Sequence, residues 1–125
     1  MNDTKKNIKL FAPVSSGRTW LSRKILKAHG DKIGYIEIID ELLVSDHCDY
    51  VVNPELREKF IYICLGFTSV PDDALRPKQK AEELLDASKK WKEFAHKRNL
   101  QYFDVTKRDE ETYDTIVEWV KNNLG

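Results

Sequence analysis

The chain has 125 residues, a length that suffices for one domain around a single core and is too short for two. Hydrophobic residues make up 41% of it and charged residues 34%. Lys plus Arg and Asp plus Glu both number 21, so the formal net charge is zero. This balance argues against the strongly basic surface with which proteins bind nucleic acid or anionic membranes. We expect a single domain over residues 1–125 in which any anion site is local.

Cysteine content and hydropathy indicate the compartment. Cys48 and Cys64 are too few for a disulfide framework, and Cys64 lies in an apolar run where a small buried thiol is expected. The first residues contain no apolar signal segment, and no apolar stretch of the sequence is long enough to cross a bilayer. The sequence therefore predicts a cytoplasmic protein that binds no membrane and no nucleic acid.

Apolar spacing predicts strands that alternate with helices along the chain. Strands are expected at residues 8–11, 33–39, 60–65 and 100–105, and helices at about residues 20–28, 78–97 and 110–124. Residues 42–59 allow either a strand or the start of a short helix, and residues 69–77 are rich in turn formers. The alternation predicts a three-layer α/β/α fold, with a mainly parallel sheet of about four to five strands and a ligand crevice at their carboxyl ends.

The most informative segment follows the first predicted strand and leads into the first predicted helix. It reads Ala12-Pro13-Val14-Ser15-Ser16-Gly17-Arg18-Thr19. Laid over the phosphate-loop pattern GxxxxGK(S/T), Gly17 and Thr19 match, while Ala12 replaces the first Gly and Arg18 replaces the Lys. Small residues let backbone N–H groups approach a phosphate at a helix N-terminus, and a guanidinium can donate two hydrogen bonds to it.

The loop and the order of elements resemble P-loop kinases that act on nucleotides or other small molecules. This resemblance implies a P-loop NTPase-like fold that binds ATP or another nucleotide together with Mg²⁺. The implied phosphate-binding residues are Pro13, Val14, Ser15, Ser16, Gly17, Arg18 and Thr19. Thr19 and Asp40 would hold Mg²⁺, while Arg18, Asp40 and Arg76 would be catalytic, with Asp40 orienting or deprotonating an acceptor hydroxyl and Arg76 neutralising charge during phosphoryl transfer.

Other interpretations stay open. Ser16 to Leu21, with Ile25 and Leu26, also resembles the sulfotransferase loop PKSGTTWLxxIL, which binds the 5′-phosphosulfate group of the sulfate donor. The changes at Ala12 and Arg18 also allow a nucleotide-binding or protein-interaction module without catalysis. A plain turn with Ser15 or Ser16 as the helix N-cap would bind nothing, and Asp40 would then be a solvated carboxylate.

The expected ligand is thus a nucleotide or another phosphate-bearing small molecule. A protein partner or a second copy of the chain stays open as a further binding partner.

Overall fold

The computed structural model describes residues 5–13, 16–39, 60–70, 75, 77 and 80–124. Seven elements follow one another in the order β1 (Lys6–Phe11), α1 (Arg18–His29), β2 (Ile33–Ile39), β3 (Phe60–Gly66), α2 (Ala81–Lys97), β4 (Gln101–Asp104) and α3 (Glu110–Asn123). The predicted α/β alternation is confirmed, and each predicted strand or helix matches one of these elements. Residues 42–59, for which the sequence left two alternatives, lie outside the described residues.

The four strands form one parallel sheet in the order β2-β1-β3-β4. Leu10 in the inner strand β1 is paired with Ile38 of β2 on one side and with Ile63 of β3 on the other. From Ile61 to Gly66 every residue of β3 is buried, as its continuous apolar run predicts for a strand covered on both faces.

Helices cover both faces of the sheet, which gives the predicted three layers. One core contains inward side chains of β1, α1 and α3, among them Ile8, Leu10, Leu21, Ile25, Ile116 and Val120. The other core packs α2 against the sheet through Phe11, Tyr62, Cys64, Trp91, Phe94 and Ala95. Each face of β1 thus meets a different helix layer.

Cys64 is the predicted small buried thiol. It is fully buried, its Sγ donates to the Trp91 carbonyl at 3.3 Å, and burial raises its pKa to about 12. The thiol therefore stays neutral at physiological pH and acts as an apolar core group.

Local chemistry explains where α3 begins. Asp109 is the N-cap of α3, and its Oδ1 accepts hydrogen bonds from the Thr112 hydroxyl and, at 2.9 Å, from the Thr112 N–H. These two hydrogen bonds, the hydroxyl one first, lower the Asp109 pKa. Glu110 and Glu111 follow in the first turn, where negative charge interacts favourably with the helix dipole.

Ser88 of α2 forms two hydrogen bonds with the residue that directly follows β3. Its Oγ accepts a hydrogen bond from the Phe67 N–H at 2.7 Å and donates one to the Phe67 carbonyl at 3.0 Å, both in a buried setting. A helix side chain therefore satisfies both backbone groups of the residue at which the chain leaves the sheet.

We predict that Ser88→Ala lowers the free energy of unfolding by about 1–3 kcal/mol, because the buried Phe67 N–H and carbonyl lose their partner. Urea denaturation of the variant and the wild type measures the change. Lys89→Ala, at an exposed neighbouring position, is the control and should change stability by less than about 0.5 kcal/mol. Equal stability of the Ser88 and Lys89 variants would contradict this account.

Candidate phosphate-binding loop

The loop after β1 lies at the carboxyl edge of the sheet. From β1 the chain passes to β2 on one side and then to β3 on the other, so the strand order reverses between β1 and β3. In open parallel sheets the crevice at such a reversal is where ligands bind. The segments that follow β1, β3 and β4 all leave the sheet at this edge, because the strands are parallel.

Hydrogen bonds close the described part of the loop onto itself and onto the sheet. The Ala12 N–H donates to the Ile39 carbonyl at 3.0 Å, which extends the pairing of β1 with β2 by one residue. The buried Ser16 Oγ donates to the Pro13 carbonyl at 2.7 Å, so it bridges the loop from one side to the other. Val14 and Ser15 lie outside the described residues.

Gly17 is the N-cap of α1 and takes a left-handed conformation, with φ 76° and ψ 20°. Its carbonyl accepts the first helical hydrogen bond, from the Leu21 N–H at 2.9 Å. Glycine adopts this conformation without steric cost, which explains a glycine at this position. The N-cap is therefore Gly17 and not Ser16, and the alternative of a turn capped by Ser16 is wrong.

Tyr113 of α3 contacts the loop from the side of the core. Its hydroxyl donates to the Ser16 carbonyl at 2.8 Å, and a Cβ on Gly17 would overlap that hydroxyl. The Tyr113 ring also packs edge-on against Trp20, with centroids 4.8 Å apart. Burial raises the Tyr113 pKa, so the phenol keeps its proton and remains a donor. The sequence predicts Tyr113 only as an apolar-face residue and carries no signal for this contact.

Arg18 and Thr19 are the first two residues of α1. Arg18 is half-buried, and its Nη1 reaches back 3.4 Å to the Ala12 carbonyl at the start of the loop, whereas Thr19 is exposed. The first N–H groups of a helix have no carbonyl partner within it, and the helix dipole makes this end positive. Backbone and guanidinium thus place positive charge beside the loop.

Asp40 and Arg76, the other two predicted catalytic residues, lie outside the described residues. Their roles, and the Mg²⁺ contact expected of Asp40, therefore stay predictions. In the part of the chain that the structure describes, no group of three or more His, Cys, Asp or Glu side chains is placed to hold a metal ion.

The loops after β3 and β4 meet beside this site through residues that sequence reasoning missed. The Thr68 N–H donates to Thr106 Oγ1 at 2.8 Å, and the Thr106 N–H donates to Asp104 Oδ1 at 2.8 Å. The Arg108 guanidinium lies over the Phe67 ring, with Cζ 5.0 Å from the ring centroid. Thr68 and Thr106 are 38 positions apart in the sequence, so only the parallel pairing of β3 with β4 brings them together.

An open groove on the outer side of α3 is a poorer place for a phosphate. It is lined by Glu110, Glu111, Asp114 and Glu118 together with Thr115, Trp119 and Asn122. Its carboxylates repel anions, so the loop at the sheet edge remains the better candidate.

Among the described residues, no helix is both long and apolar enough to cross a membrane.

Comparison with known proteins yields one distant structural neighbour. No protein-family model matches the chain, and no curated protein is significantly similar to it in sequence. A solved structure described as a "De novo designed Rossmann fold protein ROS2_835" is similar over 95% of this chain and 97% of that chain, with 16% identity and a TM-score of 0.43.

We predict that Gly17→Ala destabilises the fold by about 1–3 kcal/mol, because Ala disfavours a φ of 76° and its Cβ would displace the Tyr113 hydroxyl. Tyr113→Phe should cost about 1 kcal/mol, since only the hydrogen bond to Ser16 is lost. Thermal unfolding of both variants tests the ranking.

Arg23→Ala, on an exposed position of α1, is the matched control and should leave stability within about 0.5 kcal/mol of the wild type. A Gly17→Ala protein as stable as this control would show that the left-handed conformation is not required.

Proposed function

We propose that this chain binds the phosphate groups of a nucleotide, or of another phosphate-bearing small molecule, on the loop from Ala12 to Thr19, in the manner of a P-loop kinase. The observation that carries the proposal is Gly17 in the left-handed conformation immediately before α1, in the segment that follows the inner strand β1. A helix N-terminus, whose first N–H groups lack partners within the helix, beside a strand-order reversal is an arrangement that suits an anion.

The side chains of the loop suit a phosphate chemically. Arg18 would donate hydrogen bonds to phosphate oxygens after leaving the Ala12 carbonyl, which it now meets at a long 3.4 Å. Thr19 is exposed, and its hydroxyl would bind a phosphate or a Mg²⁺ ion that neutralises phosphate charge. In phosphoryl transfer from ATP, Asp40 would orient the acceptor hydroxyl and Arg76 would neutralise developing charge.

Nucleotide binding without transfer is the second candidate function, and the position of Arg18 favours it. A planar guanidinium differs in shape and donor geometry from the ammonium of the usual Lys. Because its Nη1 contacts the Ala12 carbonyl, Arg18 closes the loop in this structure and would have to give up that contact to bind a phosphate. Such a residue suits phosphate binding better than it suits phosphoryl transfer.

The sulfotransferase-like alternative has less support. Its distinctive match is the Trp20-Leu21 pair, yet the Trp20 ring packs on Tyr113 and Leu21 is fully buried in the core. Packing explains both residues without a phosphosulfate donor.

We predict that isothermal titration calorimetry detects ATP binding and that Arg18→Ala weakens it by about tenfold or more, the loss expected when one charge-assisted hydrogen bond to phosphate disappears. Adenosine should bind far more weakly than ATP, because it lacks the phosphates. Arg23→Ala, which removes an exposed cation from the same helix, should bind ATP as the wild type does. Absence of binding by the wild type to ATP, ADP and pyrophosphate would refute phosphate recognition.

A separate prediction concerns catalysis. If the chain transfers phosphoryl groups, Mg²⁺-dependent ADP formation with a panel of nucleoside, nucleotide and sugar acceptors should appear and should fall at least about tenfold in Thr19→Ala, because a Mg²⁺ ligand is lost. The double variant Ala12→Gly, Arg18→Lys should raise ATP affinity or turnover. Tight ATP binding with no turnover in any of these proteins would leave the binding module as the function.

A further inference from the structure

We infer that β2 is a docking strand for a second copy of this chain, and that two copies pair antiparallel along β2 and so join their four-stranded sheets into one. The occupant is a second copy because the exposed part of β2 is complementary to itself in hydrogen bonding and in charge. The inference does not depend on phosphate binding.

The first observation is the outer edge of β2, which ends the sheet among the described strands. The Ile39 carbonyl accepts a hydrogen bond from the Ala12 N–H, so Ile39 directs its backbone groups toward β1. From Ile36 to Ile39 the pairing with β1 is regular, and successive residues direct these groups to opposite edges. Ile36 and Ile38 therefore direct their N–H and carbonyl groups outward, where another strand can extend the sheet.

A bulge limits the docking segment to the second half of the strand. Gly34 and Tyr35 of β2 together lie opposite Asn7 of β1, and Asn7 Oδ1 accepts a hydrogen bond from the Tyr35 N–H at 3.1 Å. A bulge interrupts regular pairing and bends the strand that carries it. The segment with a regular outer edge is thus Ile36–Ile39.

The second observation is the group of exposed apolar side chains at this edge. In the part of the chain that the structure describes, the four exposed large apolar side chains all lie on β2 or on α1, the helix that contacts it. On β2, Tyr35 is 48% exposed and Ile38 is 37% exposed. Ile36, on the same face as Ile38, packs against the core beneath α1 and α3. Ile38 thus continues an apolar face of the sheet out to its edge, as interaction surfaces do.

The third observation is the charge along the edge. Glu37 is the single charged residue of β2, and it forms an ion pair with Lys9 of β1. A two-fold axis at Ile38 sets Ile38 against Ile38 and Glu37 against Ile39, so no like charges meet. An axis at Glu37 would oppose two carboxylates, which destabilises a strand pair. Charge therefore selects the axis at Ile38.

The other edge strand, β4, differs from β2 in both respects. It has only four residues, and Gln101 and Asp104 at its ends are polar and exposed. Short strands and charged side chains are the means by which sheet edges avoid pairing with another chain, whereas Ile36–Ile39 contains no Pro, Lys or Arg. Pairing through β2 alone gives a closed dimer, because a two-fold interface uses the same surface of both copies.

The test measures the oligomeric state of the full chain by sedimentation velocity over a series of concentrations, for the wild type, Ile38→Lys, Ile38→Glu and Gln101→Lys. At the proposed axis, position 38 of one copy meets position 38 of the other, so each change at Ile38 opposes two like charges. Gln101→Lys adds the same charge at the exposed start of β4 and is the matched control. Thermal unfolding confirms that each variant is folded.

We expect a wild-type dimer with a micromolar dissociation constant, because one strand edge buries less surface than a standard protein–protein interface. Ile38→Lys and Ile38→Glu should each weaken dimerisation by about tenfold or more, and Gln101→Lys should stay within about twofold of the wild type. An equal mixture of the two Ile38 variants should dimerise more tightly than either alone, since opposite charges then meet at the axis. In the wild type, hydrogen exchange of the Ile38 N–H should slow as the dimer forms.

A wild type that stays monomeric up to about 1 mM would overturn the inference, since a dissociation constant above that value gives no specific dimer. In that monomer, a protected Ile38 N–H would show that the same chain covers the edge, and an unprotected one would leave the edge to a different partner. Equal dimerisation by Ile38→Lys and Gln101→Lys, or a mixture no tighter than its components, would overturn pairing at Ile38. These measurements use no phosphate compound, so their failure is separate from failure of the proposed function.

Discussion

The parallel pairing of β1 on both of its edges determines much of this structure. A strand that is hydrogen-bonded to β2 and β3 and buried on both faces must be apolar, and Ile8, Leu10 and Phe11 are each fully buried. Parallel neighbours also require crossover connections, which here contain α1 between β1 and β2 and α2 between β3 and β4. All strands then end at one edge, so the segments after β1, β3 and β4 meet there. The location of the candidate site is thus a consequence of how the core is assembled.

A core residue also shapes the loop. Tyr113 belongs to the same buried cluster as Leu21 and Ile116, yet its hydroxyl reaches the Ser16 carbonyl. The loop conformation is therefore coupled to the packing of α3, because displacement of the Tyr113 ring would also release Ser16 and Gly17. For the proposed ligand, this arrangement would order the backbone in advance and so lower the ordering cost of binding. A change in the core under α3 would then alter the affinity of the proposed site without touching a residue of the loop.

The sequence predicted the parts of the fold that depend on local patterns. The alternation of strands and helices follows from apolar periodicity, and the importance of Gly17 follows from the motif. The strand order did not follow, because it depends on pairing between segments far apart in the chain. Tyr113 and Arg108 were missed for the same reason. The spacing of Tyr113 shows only that it faces inward, and the interaction that gives its hydroxyl a role spans 97 positions. Arg108 stands in a charged turn whose contact with Phe67 exists only after β4 pairs with β3.

The two departures from the phosphate-loop pattern acquire a physical explanation from the geometry. Ala12 is fully buried, has no positive φ and still pairs with β2 through its N–H, so its position does not require the conformational freedom of glycine. Gly17 has a φ of 76° and contacts Tyr113, and here the glycine is kept. Arg18 is long enough for its Nη1 to approach the Ala12 carbonyl, which links both ends of the loop. Backbone conformation and local contacts thus explain why alanine suffices at Ala12 and why glycine is needed at Gly17, independently of any ligand. Arg18 is the departure that bears on the proposed phosphate binding, because a guanidinium differs from the usual ammonium in shape and donor geometry.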